Sequence, residues 1–414
     1  MRLRLISTLL TVLVLLAASG CKSASKDRED QDTGDRSESP AVELSLPKPD
    51  NDAMDPEYAE QAGELINGGI RYLLSVRNDD GGWDIEGANE PAMTAMAIKA
   101  LLRHPDFDAD SPVVTEALER MLTYRRQDGG IYNPAEGMAN YSTALAVMAL
   151  AEVNRPEYND ALREAVAYLR GIQIVPGSES PDGETIDEDH PFVGGVSYGR
   201  HGRPDMSNLG MWMEAMHEAG VDGDDPAMRR ALRFVERTQN RTESNPMGWA
   251  EEGTDDGGFI YAPAVAGDPT SGESKAGTGP GGRGLRSYGS MTYTGFKSML
   301  YADVARDDDR VRAAFDWIGR YWRLDSNPNM PRMRSQQGLY YYYNVFAKAL
   351  RAWGEPVIRD DDGEEHNWRR ELIAALAERV EEDGSWSNDA DRWLEGHPVL
   401  CTCYAVLALQ ETMR

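Results

Sequence analysis

Cysteine is scarce in this chain, with three residues among 414. Cys21 follows an apolar N-terminal segment, which leaves Cys401 and Cys403 for the folded part. Residues two apart on a helix point to different sides, so we expect no disulfide between these two. A disulfide scaffold is therefore excluded.

Positive charge is also scarce, since 43 Lys and Arg face 70 Asp and Glu for a net charge of −27. Nucleic-acid binding needs clustered basic side chains, so no nucleic-acid partner is expected. Adhesion to an anionic membrane surface is disfavoured for the same reason.

Strand signals are nearly absent, and Leu5 to Ala18 is the one long apolar run. It is shorter than the roughly 20 residues that span a bilayer. With Arg2 and Arg4 before it and Ala18-Ser19-Gly20 after it, the run indicates a signal peptide over residues 1–20.

Cys21 directly follows this segment and resembles the lipidated cysteine of the bacterial lipobox, although Ala18 stands where Leu is commoner. The resemblance implies a protein anchored by lipid at the bacterial cell envelope, facing the periplasm or the surface, with no other membrane contact. An ordinary signal peptide beside a cysteine is the alternative.

Residues 21–56 are rich in Asp, Glu, Ser, Lys and Pro and nearly free of aromatics. Such a segment buries too little apolar surface to offset the cost of ordering, which predicts a disordered acidic linker. Residues 57–414 are then one folded domain.

A unit of two helices around an Asp-Gly-Gly-aromatic turn recurs about six times in that domain. The clearest turns begin at Asp80, Asp128, Asp256 and Asp383. We expect the first glycine to end a helix in the left-handed conformation and the second to permit close approach. The aromatic residue, as in Trp83 and Trp386, then packs between helices as a structural element.

The helices alternate between charged and small-residue-rich types. Charged outer helices are expected near residues 57–77, 112–126, 158–173, 226–240, 308–323 and 366–381. Apolar inner helices are expected near residues 91–103, 139–153, 205–219, 290–304, 338–353 and 398–412. Stacked hairpins that close into a ring bury both faces and leave a central cavity, so we predict an all-α (α/α)6 toroid.

The Gly-Gly-aromatic turn and the six hairpins resemble the α/α-toroid superfamily of terpenoid (squalene/hopene) cyclases and protein prenyltransferase β subunits, across essentially all of residues 60–414. The resemblance implies the toroid fold and leaves the activity open, because this fold also hosts binding domains.

Neither catalytic set of that superfamily is complete here. Class II cyclases protonate an alkene with the middle acid of Asp-x-Asp-Asp, and the acidic strings at residues 187–190, 307–309 and 360–362 are not at the start of an inner helix. Prenyltransferase β subunits bind zinc through Asp, Cys and His. At the corresponding positions this chain has Thr292, Thr294 and Cys401. Arg286 aligns with an arginine that contacts diphosphate in that family.

Three loops that lead into inner helices 3, 4 and 5 are basic despite the acidic composition. They carry Arg200, His201 and Arg203, then Arg286, then Arg334. Helix N-termini bear partial positive charge and free N–H groups, so these loops predict an anion site at one mouth of the cavity. Pairing of these arginines with surface carboxylates is the alternative.

Further candidates for ligand contact lie at the starts of inner helices. Asp205 and Asn208 either cap inner helix 3 or face the cavity. The remaining candidates carry hydroxyl or amide groups and comprise Tyr288, Thr292, Gln337, Tyr340 and Tyr341. Core packing is the default for each tyrosine taken singly.

His397 and Cys401 are four residues apart and form a weak metal candidate, since zinc needs three or four ligands. We expect no cofactor. The sequence therefore predicts a cavity that binds a partly apolar ligand, such as a small molecule or peptide, with an anionic group suggested by the arginines. An enzyme of unknown reaction and a non-catalytic binding toroid remain open.

Overall fold

A computed structural model describes residues 42–50, 54–88, 90–180, 183–199 and 202–414. The predicted signal peptide, Cys21, most of the linker, Arg200 and His201 lie outside the described residues.

Residues 42–50, which the composition assigns to the linker, are ordered against the helical domain. The backbone N–H of Ser45 donates to Asp106, the side-chain amide of Asn67 donates to the Ser45 carbonyl, and the N–H of Asp50 donates to the Met413 carbonyl. The expectation of disorder across residues 21–56 is therefore wrong for this part, because backbone hydrogen bonds and packing of Leu46 near Gly63 hold it.

Helices dominate the described residues. In chain order they are α1 (Pro56–Ser75), α2 (Glu90–Leu102), α3 (Pro112–Leu122), α4 (Ala139–Val153), α5 (Asn159–Ile172), α6 (Met206–Glu218), α7 (Pro226–Glu236), α8 (Gly248–Glu251), α9 (Gly289–Tyr301), α10 (Asp309–Arg320), α11 (Leu339–Trp353), α12 (Trp368–Ala377) and α13 (Pro398–Met413). The predicted inner and outer helices agree with these bounds to within a few residues.

The inner helices close into a ring. Helix α2 packs on α4, α4 on α6, α6 on α9, α9 on α11, α11 on α13, and α13 returns to α2. Helices α1, α3, α5, α7, α10 and α12 pack around the outside of this ring. The predicted all-α toroid is confirmed.

Burial separates the two layers. Every residue of α13 from Val399 to Met413 is buried, whereas α7 buries one stripe that includes Ala231, Phe234 and Val235. A helix enclosed on all sides needs apolar residues all round, and an outer helix needs only one apolar face. The described part contains no helix long and apolar enough to cross a membrane.

The recurring turn is a structural device that differs in one detail from the prediction. Gly81, Gly129, Gly257 and Gly384 have φ between 80° and 92°, so the left-handed conformation is confirmed. These glycines do not end the outer helices, however. Helix α1 ends at Ser75, and Gly81 lies in a separate turn in which its N–H donates to the Asn78 carbonyl.

A threonine of the inner helix holds each clear copy of the turn. The fourth residue of the turn, after Asp-Gly-Gly or Asp-Gly-Ser, donates its backbone N–H to this hydroxyl. The donor–acceptor distances are 2.9–3.1 Å in the pairs Trp83–Thr94, Ile131–Thr143, Phe259–Thr292 and Trp386–Thr402. The indoles of Trp83 and Trp386 also donate to carbonyls of the preceding outer helices. The structural role predicted for both tryptophans is confirmed.

Two short strands interrupt the helical pattern. Strand β1 (Val357–Arg359) pairs antiparallel with β2 (Glu365–Asn367) around the acidic turn between α11 and α12. The sequence analysis predicted the turn and missed the strands, because three residues are too few to display an alternating pattern.

Candidate functional site

A cavity of about 280 Å³ lies within the ring at the N-terminal ends of the inner helices. All six inner helices contribute to its wall, and the residue that each contributes near its start is Ala92, Tyr141, Ser207, Ser290, Tyr341 or Leu400. In the four helices that carry the turn threonine, this residue stands two positions before it. Residues two positions apart on a helix are separated by about 200° around its axis. The threonine therefore faces the outer turn, and the residue two positions before it faces the centre of the ring.

The cavity wall is aromatic and mostly uncharged. Its rings are Tyr141, Tyr198, Tyr261, Tyr288, Tyr341, Trp393 and Tyr404, with methionine and leucine side chains between them. Such a wall suits an apolar ligand with a few polar atoms.

Hydroxyl groups meet across the middle of this wall. The Tyr141 hydroxyl is hydrogen-bonded to Ser207, and the Tyr341 hydroxyl lies 3.2 Å from the Thr294 hydroxyl. Burial raises the pKa of Tyr141 and of Tyr341 above the ordinary value, so both phenols remain neutral at physiological pH.

Glu395 is the ionisable carboxyl group among the described wall residues. Its side chain accepts hydrogen bonds from the backbone N–H of Tyr341 at 2.8 Å and from the Asn388 amide at 2.7 Å. Burial raises the pKa of Glu395 to about 7, although these N–H donors oppose the rise. A carboxyl group in this state can exchange a proton near neutral pH. Sequence reasoning missed it, because no motif surrounds it.

The outer part of the wall is formed by the segment that carries Glu395. Trp393 and Leu394 are 41% and 48% exposed, and both have positive φ, at 62° and 68°. Gly338 makes room for the indole, because a Cβ there would lie 3.2 Å from Trp393. Both side chains thus contact the cavity and are also partly exposed to solvent.

Comparison with known proteins gives no match to a protein-family model. Among solved structures, the type II terpene cyclase MstE from Scytonema superimposes with a TM-score of 0.52 at 14% identity, in complex with geranylgeranyl dihydroxybenzoate. That comparison covers 87% of this chain and 99% of MstE. The complex of MstE with merosterolic acid A gives 0.50 at 15% identity. The chain has the fold of the type II terpene cyclases.

A curated relative matches part of the chain. Drimenyl diphosphate synthase from Streptantibioticus cattleyicolor is 38% identical over 118 residues, which is 26% of this chain and 21% of that enzyme. The match thus spans about a fifth of the length of this relative.

Inner helix α6 begins within a segment that shares one acid with the Asp-x-Asp-Asp pattern. Asp205-Met206-Ser207-Asn208 has the spacing of Asp-x-Asp-Asp, with serine at the middle position and asparagine at the last. Ser207 lies on the cavity wall. The sequence analysis named Asp205 and Asn208 at the start of this helix and did not name Ser207, the residue of the segment that lies on the wall.

Asp205 and Asn208 lie behind the wall. Asp205 caps α6 by accepting from both the backbone N–H and the side-chain amide of Asn208 at 2.9 Å, and burial raises its pKa. Asn208 in turn accepts from the Asn140 amide. Interaction with Tyr261, which lines the wall, opposes that rise in the pKa of Asp205.

The structure does not bring the described arginines to the cavity wall. Arg203 forms an ion pair with Glu273, as the alternative interpretation of these loops expected. Arg286 is half-buried and Arg334 is exposed, and neither lines the cavity. The geometry therefore gives no support for an anion site on the described wall.

The remaining candidates divide between wall and core. Tyr288 and Tyr341 line the cavity. Tyr340 packs outward against Tyr343, with ring centroids 5.8 Å apart, and the half-buried Gln337 is held through its carbonyl by the Asn327 amide. Thr292 holds the turn at Phe259, so its hydroxyl is occupied.

The residues at the zinc positions of prenyltransferases do not fit a metal. The Thr294 hydroxyl donates to the Ser290 carbonyl, and the Cys401 thiol donates to the Glu395 carbonyl. Burial raises the pKa of Cys401, which keeps the thiol protonated. His397 stands half-buried at the start of α13 and belongs to no group of three possible metal ligands in the described structure.

A group with metal-ligand chemistry lies elsewhere, at the β1–β2 hairpin. The side chains of Asp360, Glu364 and His366 offer ligand atoms within 4.8 Å of one another. Both ring nitrogens of His366 already contact carboxylates, those of Asp360 and Glu371. This group is an ion-paired surface cluster away from the cavity.

The opposite ends of the inner helices are joined by buried ion pairs. Glu214 on α6 binds both Lys297 on α9 and Lys348 on α11. Further pairs at this end are Lys99–Glu218, Arg103–Glu411 and Arg351–Glu411. Cations near helix C-termini are favourable, and the paired glutamates offset the cost of burying them.

Proposed function

We propose that this protein binds a partly apolar small molecule of isoprenoid type in its central cavity. The observation that carries the proposal is the aromatic cavity to which all six inner helices contribute a residue. Its volume of about 280 Å³ suits one small ligand, near the lower end of the range of roughly 300–1,000 Å³ for ligand pockets.

The similar proteins support the isoprenoid class. MstE has been solved with geranylgeranyl dihydroxybenzoate, and the curated relative is a drimenyl diphosphate synthase. The proposed ligand has no anionic group, because Arg203 is paired with Glu273 and neither Arg286 nor Arg334 lines the cavity wall.

Binding is tested with farnesol, a C15 isoprenoid alcohol, by quenching of tryptophan fluorescence. The Ala92→Phe variant adds an aromatic ring to the cavity wall and should abolish the quenching. Ala135→Phe adds the same ring at an exposed site and should bind as the wild-type protein does. Equal binding by the wild-type protein and Ala92→Phe would place the ligand elsewhere.

We also propose that Cys21 carries a lipid that anchors the protein at the bacterial cell envelope. The support is the run of Arg2, Arg4, the apolar segment and Ala18-Ser19-Gly20 before this cysteine. Cys21→Ser should release the protein from the membrane fraction, and mass spectrometry should detect a lipid on the wild-type N-terminus alone. A soluble, unmodified wild-type protein would refute the anchor.

A proton-transfer enzyme is the second candidate, because Glu395 lines the cavity with a pKa raised to about 7. The protonated carboxyl would donate its proton to an alkene carbon and leave a carboxylate and a tertiary carbocation. The carboxylate would then remove a proton from a neighbouring carbon, which yields an isomerised or cyclised alkene with no co-reactant.

Solvent deuterium distinguishes this enzyme from a binding protein. Farnesol recovered after incubation in D2O should carry carbon-bound deuterium by mass spectrometry if Glu395 acts, and Glu395→Gln should remove the label. Binding without deuterium incorporation in the wild-type protein would leave the non-catalytic function.

A further inference from the structure

Two tyrosines of the cavity wall have hydroxyl groups without a partner in the described structure. Tyr288 is 2% exposed and Tyr404 is 8% exposed, and neither phenol makes a hydrogen bond to a described residue. By contrast, the hydroxyls of Tyr141 and Tyr341 are bonded to neighbouring hydroxyls. A wall hydroxyl with no protein partner is free to bond a ligand atom in the cavity, so it marks a place where a polar ligand atom fits.

Both free phenols belong to one region of the cavity. Tyr288 precedes α9 and Tyr404 lies on α13, and the electrostatic influence of Tyr341 reaches each of them. Tyr341 also stacks edge-on against Tyr404, with ring centroids 6.0 Å apart. Tyr288, Tyr341 and Tyr404 therefore line the same cavity.

The charge state of these groups limits the ligand. Burial and nearby carboxylates raise the pKa of both phenols well above the ordinary value, so both remain protonated donors. The carboxylates concerned include Asp205 and Glu273 for Tyr288, and Glu395 for Tyr404. These acids disfavour a further negative charge in the cavity.

Building on the proposed isoprenoid site, we infer that the ligand carries a neutral oxygen atom, as a hydroxyl, ether or carbonyl, which accepts a hydrogen bond from Tyr288 or Tyr404. The apolar chain then lies against the methionine and leucine side chains of the wall. A site built to bond such an oxygen discriminates against an analogue that lacks it, because its own donors are then left unpaired.

Three C15 probes that share one chain test this inference: farnesol, the hydrocarbon β-farnesene, and farnesoic acid, each titrated at pH 8 with tryptophan fluorescence as the signal. Farnesol should bind about fivefold to tenfold more tightly than the hydrocarbon, as one or two neutral hydrogen bonds provide. Farnesoic acid, an anion at this pH, should bind more weakly than farnesol.

Variants assign the preference to the two phenols. Tyr288→Phe and Tyr404→Phe, singly and together, should reduce the preference for farnesol while the affinity for the hydrocarbon stays unchanged. Tyr340→Phe is the matched control, because this tyrosine precedes Tyr341 on α11 and packs away from the cavity. It should keep the wild-type preference.

The outcomes distinguish failure of the neutral-oxygen inference from failure of the proposed binding site. Equal wild-type affinities for farnesol and the hydrocarbon, tighter binding of the acid, or a preference that survives in the double variant would overturn the neutral-oxygen inference and leave the apolar site intact. Failure of all three probes to bind would overturn the proposed function itself.

Discussion

The buried carboxylate of Glu214 offers the sharpest test of how the inner ring is held together. It lies between Lys297 and Lys348, and the three side chains are 2%, 2% and 6% exposed. Substitution of Glu214 by Gln removes the negative charge and leaves two ammonium groups buried next to each other. Breaking a buried pair in this way costs about 3–5 kcal/mol of unfolding free energy.

The corresponding change in melting temperature follows from the size of the domain. An unfolding entropy of about 2.1 cal/mol/K per residue over roughly 370 residues gives about 0.8 kcal/mol/K. Glu214→Gln should therefore lower Tm by about 4–6 °C in a calorimetric scan. Glu378→Gln removes a carboxylate that is 78% exposed and should leave Tm unchanged.

The pH dependence of the variant provides a second readout. Burial lowers the pKa of Lys297, and the Glu214 carboxylate opposes this effect in the wild-type protein. Without the carboxylate, the folded-state pKa falls further below the unfolded value of about 10.4. The stability lost by Glu214→Gln should therefore be regained as pH rises from 7 towards 10, because the unfolded state binds more protons there.

A triple variant separates charge from packing. Replacing Glu214, Lys297 and Lys348 together by Met removes all three charges and should recover most of the lost stability. The reasoning would be refuted if Glu214→Gln cost less than about 1 kcal/mol in urea denaturation, a loss typical of exposed pairs, or if its deficit did not shrink at high pH.

Three further changes test the turn and the site. Thr292→Val leaves the buried N–H of Phe259 unpaired and should cost about 1–3 kcal/mol in urea denaturation without weakening farnesol binding; a selective loss of binding would instead make Thr292 a ligand residue. Gly257→Ala should cost about 2 kcal/mol or more, because φ is +80° and the new Cβ would lie 2.3 Å from the Ala313 carbonyl; an unchanged Tm would refute that geometry. Burial raises the pKa of Glu395 to about 7, so the wild-type protein should lose stability as the pH rises from about 4.3 to about 7, because the folded state binds more protons there. Glu395→Gln should not show this loss, and parallel pH profiles of the two proteins would contradict the reasoning.

Periodicity and turn chemistry predicted the fold well. The charged outer helices and the apolar inner helices are visible in the sequence because each layer has its own burial, as α7 and α13 illustrate. The turn glycines had the predicted left-handed conformation. Their position beyond the helix end was not predictable, because it depends on a hydrogen bond from Gly81 back to Asn78.

The site was predicted less completely. Tyr288 and Tyr341 could be proposed from their places at the starts of inner helices, and both line the cavity. Glu395 could not, since its burial comes from the path of the loop before α13 and from donors on α11. The turn threonines would have provided the missing register, because the residue two positions earlier faces the axis.

The arginine loops illustrate the limit of charge counting. Basic residues in an acidic chain drew attention to Arg203, yet its partner Glu273 is 70 positions away in sequence. A one-dimensional pattern does not reveal such a pairing, and the same holds for the buried lysines of the inner ring, whose partners lie on neighbouring helices.

A crystal structure of the protein with farnesol most directly tests whether the axial cavity is the ligand site. The account predicts electron density for one farnesol molecule inside the ring, with its oxygen within hydrogen-bond distance of Tyr288 or Tyr404. Farnesol bound outside a ring whose centre is filled by side chains, or inner helices that do not close on themselves, would contradict it.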